Sequence, residues 1–309
     1  MKCSKKMLSL ILAAVMAATL FAGCGTPNAS ADTSTPADST QSDNANDTQA
    51  TALDTDICVI TREDGSGTRS AFTELMGIMV DDVDHTTPSA EVSNSTSVVI
   101  QTVAGNDSAI GYISLGSLSD DVKAVKVDGV EASVEDIKNG TYAVSRPFNI
   151  AVKGELSDIA ADFVSFLMSA DGQAVISEEG YISVDEAAGS YTPANLSGTV
   201  TLAGSTSVAP VMEVLADKYK ELNSSDISIE IQQTGSGAGI TSTIEGACDI
   251  GMSSRDLKDS EFAEGLTPTT IAMDGIAVIV NHNNPVDDLS SEQIMKIFTG
   301  EMTNWSEIG

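Results

Sequence analysis

The sequence predicts an α/β protein. Three observations carry that reading. Short apolar strand patterns alternate with amphipathic helix patterns along most of the chain. Turns rich in Ser and Gly stand at the carboxyl ends of strand patterns, at residues 65–68, 204–207, 235–239 and 253–256. The chain of 309 residues is long enough for two domains of ordinary size.

Taken in order, the chain opens on a targeting segment. Lys2, Lys5 and Lys6 form a positive start, and residues 7–21 an apolar core. Phe21-Ala22-Gly23-Cys24 then resembles the lipobox of bacterial lipoproteins, with Leu20 one place early and Phe21 in the position usual for leucine. Residues 1–23 are therefore expected to be a lipoprotein signal peptide, with lipid on Cys24; ordinary secretory cleavage is the alternative. Residues 24–55 are rich in Ser, Thr, Asp, Asn, Ala and Pro and read as a disordered tether. A flexible coil of that length reaches roughly 30 Å on average.

Residues 57–60 form a strand, followed by a helix with Ala71, Phe72, Leu75, Met76 and Met79 on one face. Asn94-Ser95-Thr96-Ser97 reads as the cap of a helix that begins with Val98, Val99, Gln101 and Thr102. Residues 109–115, AIGYISL, are an apolar run. Residues 122–127 and Val130 read as a hairpin around Asp128-Gly129. Residues 146–153 form a strand, and 155–169 an amphipathic helix with Leu156, Ile159, Ala160, Phe163, Phe166 and Leu167 on one face. A polar connection follows at about 185–198. A second unit then starts: strand 199–203, turn 204–207, and helix 208–222 with Val208, Val211, Met212, Leu215, Tyr219 and Leu222 in phase. The alternating strand 227–231 runs into the turn 234–239, which opens another helix. A short strand at 249–251 leads to Ser253-Ser254-Arg255-Asp256. Residues 274–281 form a strong strand, and Ser290 with Gln293 makes a capping box for a helix ending near Phe298.

Residues 61–69, TREDGSGTR, carry the clearest chemistry. A strand, a Gly-Ser-Gly turn and a helix start expose backbone N–H groups that the helix dipole makes receptive to an anion. Ser66 is the expected N-cap and offers its hydroxyl. Gly65 and Gly67 let the backbone approach a ligand closely. Arg62 and Arg69 add forked donors suited to an oxyanion. The bland reading is a capped helix with surface arginines. The repetition of Ser/Gly turns favours a convergent site, because ligands of open α/β sheets bind at the carboxyl ends of strands.

Composition narrows the ligand class. The formal charge is −30, and loss of the lysine-bearing signal makes it more negative still. Such a surface disfavours nucleic acid and anionic lipid as main partners, but not a small anion held by local dipoles. Aromatics are 4%, which disfavours an aromatic-lined sugar pocket. Cys3 leaves with the signal, and Cys58 and Cys248 lie in short apolar strands where free buried thiols are expected. No Cys/His spacing suggests a metal site, and no cofactor is expected. The P-loop pattern GxxxxGK[ST] is missing, as is GxSxG. A hydrolase built on Ser66 or Ser236 would need a base, and His85 and His282 stand far from any Ser/Gly turn in sequence. An enzyme is not expected.

The stretches GSTSVAPVMEVLADKY, QQTGSGAGI, DIGMSSRDL, DGIAVIVN, NWSEIG, REDGSGTR, AIGYISLGSL and SRPFNIAVK resemble the phosphate-binding proteins of bacterial phosphate ABC transporters, over about residues 56–309. Their order is rotated: in that family the GSTSVAP unit comes first and REDGSGTR follows NWSEIG, so the chain resembles a circularly permuted member. The resemblance implies a two-lobed periplasmic-binding-protein-like fold of type II. Lobe one would span residues 144–275, and lobe two 56–143 with 276–309, hinged near 143–150 and 273–280. It implies extracytoplasmic, lipid-anchored binding of inorganic phosphate and delivery to a membrane permease, by a monomer. The implied contacts are Arg62, Ser66, Gly67 and Thr68 from the opening motif, Thr206 and Ser207 from the second turn, and Ser236 from the third. A branch of the family takes the ligand's proton on an Asp in the turn after the short strand. Here that turn reads Ser254-Arg255-Asp256, with Arg255 near the expected place and Asp256 one later.

Hydrogen bonds to a charged group contribute roughly 1.5–3 kcal/mol each, so eight such donors exceed the ~8 kcal/mol of a micromolar complex before ordering costs. An acidic protein can therefore hold a dianion. A carboxylate acceptor separates hydrogen phosphate from the fully deprotonated oxyanions sulfate and molybdate, which are the alternative ligands. Asp64, held by Arg62, and Asp256, from the facing turn, are the candidates, with Asp256 favoured. A phosphate sensor without a transport role is a third reading.

Overall fold

The structure, a computed structural model, describes residues 53–223 and 226–308. The expectations for the signal peptide, for Cys24 and for the tether as far as residue 52 fall outside the described residues.

The chain runs β1 (Cys58–Arg62), α1 (Gly67–Leu75), a small hairpin of β2 (Met79–Val80) and β3 (Val83–Asp84), β4 (Glu91–Ser93), α2 (Thr96–Ala104) and β5 (Ala109–Ser114). It continues through β6 (Lys123–Ala124), β7 (Lys126–Val127), α3 (Val134–Lys138), β8 (Ser145–Lys153), α4 (Asp158–Leu167), α5 (Ala170–Glu178) and β9 (Ile182–Ser183). Then come β10 (Gly198–Gly204), α6 (Ala209–Leu222), β11 (Ile227–Gln233), α7 (Ser236–Glu245), β12 (Ile250–Ser253), α8 (Asp259–Ala263), β13 (Leu266–Val280), β14 (Asp288–Leu289) and α9 (Ser291–Thr299).

Side-chain caps start most helices. Ser66, Ser95, Ser133, Ser157, Ser169 and Ser290 each accept a hydrogen bond from a backbone N–H of the first turn. The capping box of Ser290 and Gln293 is complete. Three elements differ from expectation. Gly77, at φ 68, ends α1 before Met79, which joins β2 instead. The single helix expected over 155–169 ends at Leu167, because Ser169 caps a new helix, α5, bent by 57° from α4. The turn at Asp128-Gly129 forms with both residues at positive φ and Val127 pairs with Val130 across it, but the hairpin goes no further: β6 pairs with β13, and β7 with β14.

The main sheet has the order β11-β10-β12-β8-β13-β5-β1-β4. Two parallel triplets, β11-β10-β12 and β4-β1-β5, flank the antiparallel pair β8 and β13. The two ends mirror each other: β10 feeds α6 as β1 feeds α1, and β11 feeds α7 as β4 feeds α2. Strand β13 serves both. Its first part pairs with β8, from Leu266 with Lys153 to Gly275 with Ser145, and its last part pairs with β5. The buried apolar side chains separate accordingly. One core gathers Phe148, Phe163, Phe166, Leu202, Leu215, Tyr219 and Ile271. Another gathers Phe72, Tyr112, Tyr142, Ile276, Ile294, Phe298 and Trp305.

The segment around Asn304 lies beside the start of β1. Ile57 N–H donates to Thr303 O at 2.7 Å, Trp305 N–H donates to Thr55 O at 3.0 Å, and Asp56 and Asn304 form an antiparallel bridge. Trp305 is 1% exposed, and its indole N–H donates to Ser108 O at 2.9 Å.

Candidate functional site

Five of the six parallel strands end in a turn rich in Ser, Thr or Gly, and these turns meet. At the last position of β10, Gly204 adopts φ 146, and a Cβ there would fall on the Met252 carbonyl oxygen, so only glycine lets β10 run this close to β12. Ser205 then accepts from Ser207 N–H at 3.2 Å and Val208 N–H at 3.3 Å, and donates to Ser254 Oγ at 2.9 Å. After β11, Gly235 turns the chain at φ 88 and α7 starts on Ser236. Ser236 Oγ accepts from Ser254 N–H at 3.2 Å. These turns belong to one end of the sheet.

From the other end come Arg62, at the last position of β1, the turn capped by Ser66, and the start of α2 at Thr96. The two sets touch. Arg62 Nη2 donates to Thr206 Oγ1 at 3.0 Å and Nη1 to Thr96 Oγ1 at 3.5 Å. Thr68 Oγ1 and Ser207 Oγ lie 2.9 Å apart, Thr96 Oγ1 and Ser207 Oγ 3.4 Å. Gly237 N–H donates to Gly65 O at 3.0 Å. Gly67 is packed so closely that a Cβ would meet Ser236 Oγ and Ser254 Oγ. Arg62, Ser66, Thr68, Thr96, Ser205, Thr206, Ser207, Ser236 and Ser254 are all buried. The result is an enclosed knot of hydroxyls around one guanidinium, between the two cores.

The floor is aromatic and fixed. Tyr112 Oη lies 2.8 Å from Thr61 Oγ1 and accepts from the Arg62 backbone N–H at 3.2 Å. Its ring stacks on Phe72 at 4.0 Å. Burial pushes the Tyr112 hydroxyl pKa up, against the pull of its hydrogen bonds to Thr61 and Arg62. Tyr112 therefore stays neutral and orients Arg62's backbone.

The arrangement unites Arg62, Gly67, Thr68, Thr206, Ser207, Ser236 and Ser254, while the Ser66 hydroxyl caps α1 by accepting from Arg69 N–H. It does not bring in Asp64, Arg255 or Asp256. Asp64 is exposed, and its Oδ1 accepts from Gly65 N–H in its own turn. Arg255 turns toward α8, where Nη1 and Nη2 hold Glu261 at 2.9 and 2.7 Å and Nη1 donates to Asp256 O. Burial tends to raise the Glu261 pKa, yet the hydrogen bond from Arg255 and the Lys258 N–H bring it below 4.5. With Arg255 pulled that way, Asp256 is left on the surface. Arg69, the other expected oxyanion donor, instead binds Asp84 of β3 at 2.7 Å and the Arg62 carbonyl at 3.0 Å. The carboxylate that does reach Arg62 is Glu63, whose Oε2 and Oε1 take Nε and Nη2 at 2.8 and 2.9 Å. Both histidines are exposed, and His282 bonds the Asp120 carbonyl. Outside the knot, Asp64, Ser66, Arg69, Gly237, Arg255 and Lys258 border a cleft of about 560 Å³.

The family model described as "PBP superfamily domain" matches residues 4–171 and 189–309. Phosphate-binding protein PstS 2 of Streptococcus agalactiae serotype V is 48% identical over 270 residues, covering 85% of this chain and 91% of the relative. The chain belongs to the PstS-like phosphate-binding protein family. A crystal structure of a phosphate-binding protein of a phosphate ABC transporter from Streptococcus pneumoniae TIGR4 superposes with a TM-score of 0.67 at 44% identity, covering 82% of this chain and 100% of the other. The expected periplasmic-binding-protein-like fold is thus the observed one. The phosphate-binding protein PstS of Bacillus subtilis aligns over only 115 residues at 37% identity, which is 37% of this chain and 38% of that one.

Set against this family, two members of the knot escaped the sequence reading. Thr96 was visible only as part of a capping stretch, although Asn94–Ser97 is a further polar turn at the end of a strand, the mirror of the turn before α7. Ser205 sat inside the recognised GSTS turn without an assigned part.

Proposed function

We propose that this protein binds inorganic phosphate between its two halves, outside the cytoplasm, and presents it to the permease of a phosphate ABC transporter. The observation that carries the reading is the enclosed knot. Hydroxyl and N–H donors from both ends of the sheet converge with Arg62 on one spot, in a chain 48% identical to a relative named for phosphate binding. A tetrahedral oxyanion offers many acceptor lone pairs and little else, and a site of donors with one guanidinium is its chemical complement. The relatives are named as binding proteins and not as enzymes, and the knot holds no base beside a nucleophile.

The working cycle follows from the fold. Lobe one is residues 144–275; lobe two is 56–143 with 276–309. Among the described residues β8 and β13 join the parallel triplets, which supports a hinge at these two strands. In the described state the lobes touch through Arg62–Thr206, Thr68–Ser207 and Gly237–Gly65. Opening exposes these donors, and an anion that replaces the cross-lobe contacts recloses the cleft. The protein is proposed to act as a monomer, held at the membrane by lipid on Cys24. A Cys24→Ala variant is expected in the soluble fraction; retention on membranes would remove the anchor.

The order of the units is proposed to be a circular permutation of the arrangement in relatives such as that of Bacillus subtilis. The bridge between Asp56 and Asn304 sets the NWSEIG stretch beside the strand that leads into REDGSGTR, which supports the rotation. The half-length match to that relative and the break in the family match between residues 171 and 189 support it too. The test of the function is calorimetric titration with phosphate, sulfate and molybdate. Phosphate is expected to bind at micromolar concentration or below, with the other two weaker. Preference for sulfate or molybdate would overturn the reading.

A further inference from the structure

The fork of Arg62 is already filled. Nε and Nη2 are held bidentately by Glu63 at 2.8 and 2.9 Å, the geometry in which a guanidinium takes a carboxylate or a phosphate. Arg62 is 2% exposed, whereas the Glu63 side chain is 24% exposed, so one partner is fixed in the knot and the other borders solvent. The Glu63 backbone is pinned: its N–H donates to Ser93 O at 3.0 Å, and its carbonyl accepts from Ser66 N–H at 3.2 Å. The side chain can therefore swing without moving the turn.

A second contact comes from the opposite lobe. A Cβ on Gly235 would stand 3.3 Å from Glu63 Oε1, so the carboxylate lies against the residue that caps α7. No side chain caps this helix start. Its positive end and the guanidinium thus flank the same carboxylate, one from each lobe. These are the two kinds of group assigned above to the anion.

We infer that Glu63 is a built-in competitor for the ligand: its carboxylate stands in for the anion on Arg62 in the ligand-free protein, and phosphate binds by exchange with it. The inference rests on the phosphate reading of the site. The exchange gives the empty cleft a charge-balanced closed form and sets the affinity below what the donors alone would yield. Glu63 leaves toward solvent as the anion takes the fork. No bond is made or broken beyond hydrogen bonds.

The test is calorimetric titration of inorganic phosphate and sulfate into the whole protein, as wild type, Glu63→Gln and the surface control Glu301→Gln. The glutamine is the same size and can still accept one hydrogen bond from Arg62, but it carries no charge. Phosphate is expected to bind Glu63→Gln about tenfold more tightly than wild type, or ~1.4 kcal/mol. Sulfate is expected to gain as well, since the competitor acts on any anion at Arg62. Glu301→Gln, which removes the same charge from an exposed site, is expected to match wild type within about twofold. Equal or weaker phosphate binding by Glu63→Gln overturns the inference and makes Glu63 a support for Arg62, while leaving the phosphate reading intact. A gain as large in Glu301→Gln overturns it by reducing the effect to net charge. A wild type that takes neither anion overturns both readings.

Discussion

A single methyl group separates the fold from the function at Gly67. This residue opens α1 and is not among the glycines at positive φ, so alanine fits its backbone without strain. Glycine is ~1 kcal/mol worse than alanine inside a helix, and somewhat less so at its first position. In isolation, Gly67→Ala would therefore hold or raise stability. Across the cleft the outcome reverses. The new Cβ would meet Ser236 Oγ and lie 2.7 Å from Ser254 Oγ. Ser254 cannot turn away freely, because Ser205 donates to its Oγ and its backbone N–H binds Ser236. Overpacking of this kind costs roughly 1–3 kcal/mol, and here it applies to the closed arrangement alone. An affinity that depends on closure falls by the same factor, roughly 5- to 150-fold. The assay is phosphate titration of Gly67→Ala beside a thermal melt of the ligand-free protein. Unchanged affinity would mean that the closed cleft accommodates the methyl. A fall in melting temperature matching the loss of binding would mean that the methyl acts on the fold.

Three further outcomes follow from the same contacts. Arg62→Ala removes the site's buried guanidinium and is expected to weaken phosphate binding about 100-fold, or ~2.7 kcal/mol, on the order of one strong charge-assisted hydrogen bond; calorimetry reads it, and the melt should change little because Thr96, Thr206 and Ser207 keep one another. Asp256→Asn is expected to leave the preference for phosphate over sulfate unchanged, since Asp256 is exposed; a lost preference in competitive titration would place Asp256 back in the site. Glu261 has its folded pKa lowered by Arg255, so the pair stabilises above the ordinary value of 4.5 and that stability fades as pH falls through the lowered folded value. Denaturant melts from pH 7 to pH 3 should therefore show a smaller acid loss in Glu261→Gln than in wild type.

Much of the α/β pattern was legible because local signals agreed with the fold. Ser66 caps α1 with its own hydroxyl, Ser290 and Gln293 form their box, and the helix face of 208–222 is the buried face of α6. What stayed hidden was set by tertiary partners. Strand β4 is three residues long, with Glu91 and Val92 exposed, so no apolar run announces it, and Thr96 at its end went unassigned. The apolar face of 155–169 gives no hint that Ser169 starts a new helix. The acidic residues of the site misled for a related reason. Position in the motif suggested Asp64 and Asp256, but direction decides: Arg62 turns to its neighbour Glu63, and Arg255 turns away to Glu261. Adjacency in sequence does not reveal which way a guanidinium points.

The proposed cycle depends on where the anion sits. A crystal structure of the protein grown with phosphate tests it most directly. The phosphorus is expected inside the knot, with oxygens within hydrogen-bond distance of Arg62, Ser66 or Thr68 on one side and Thr206, Ser207 or Ser236 on the other. Phosphate seated instead in the outer cleft against Arg69, Arg255 and Lys258, with the Arg62 fork still on Glu63, would contradict it.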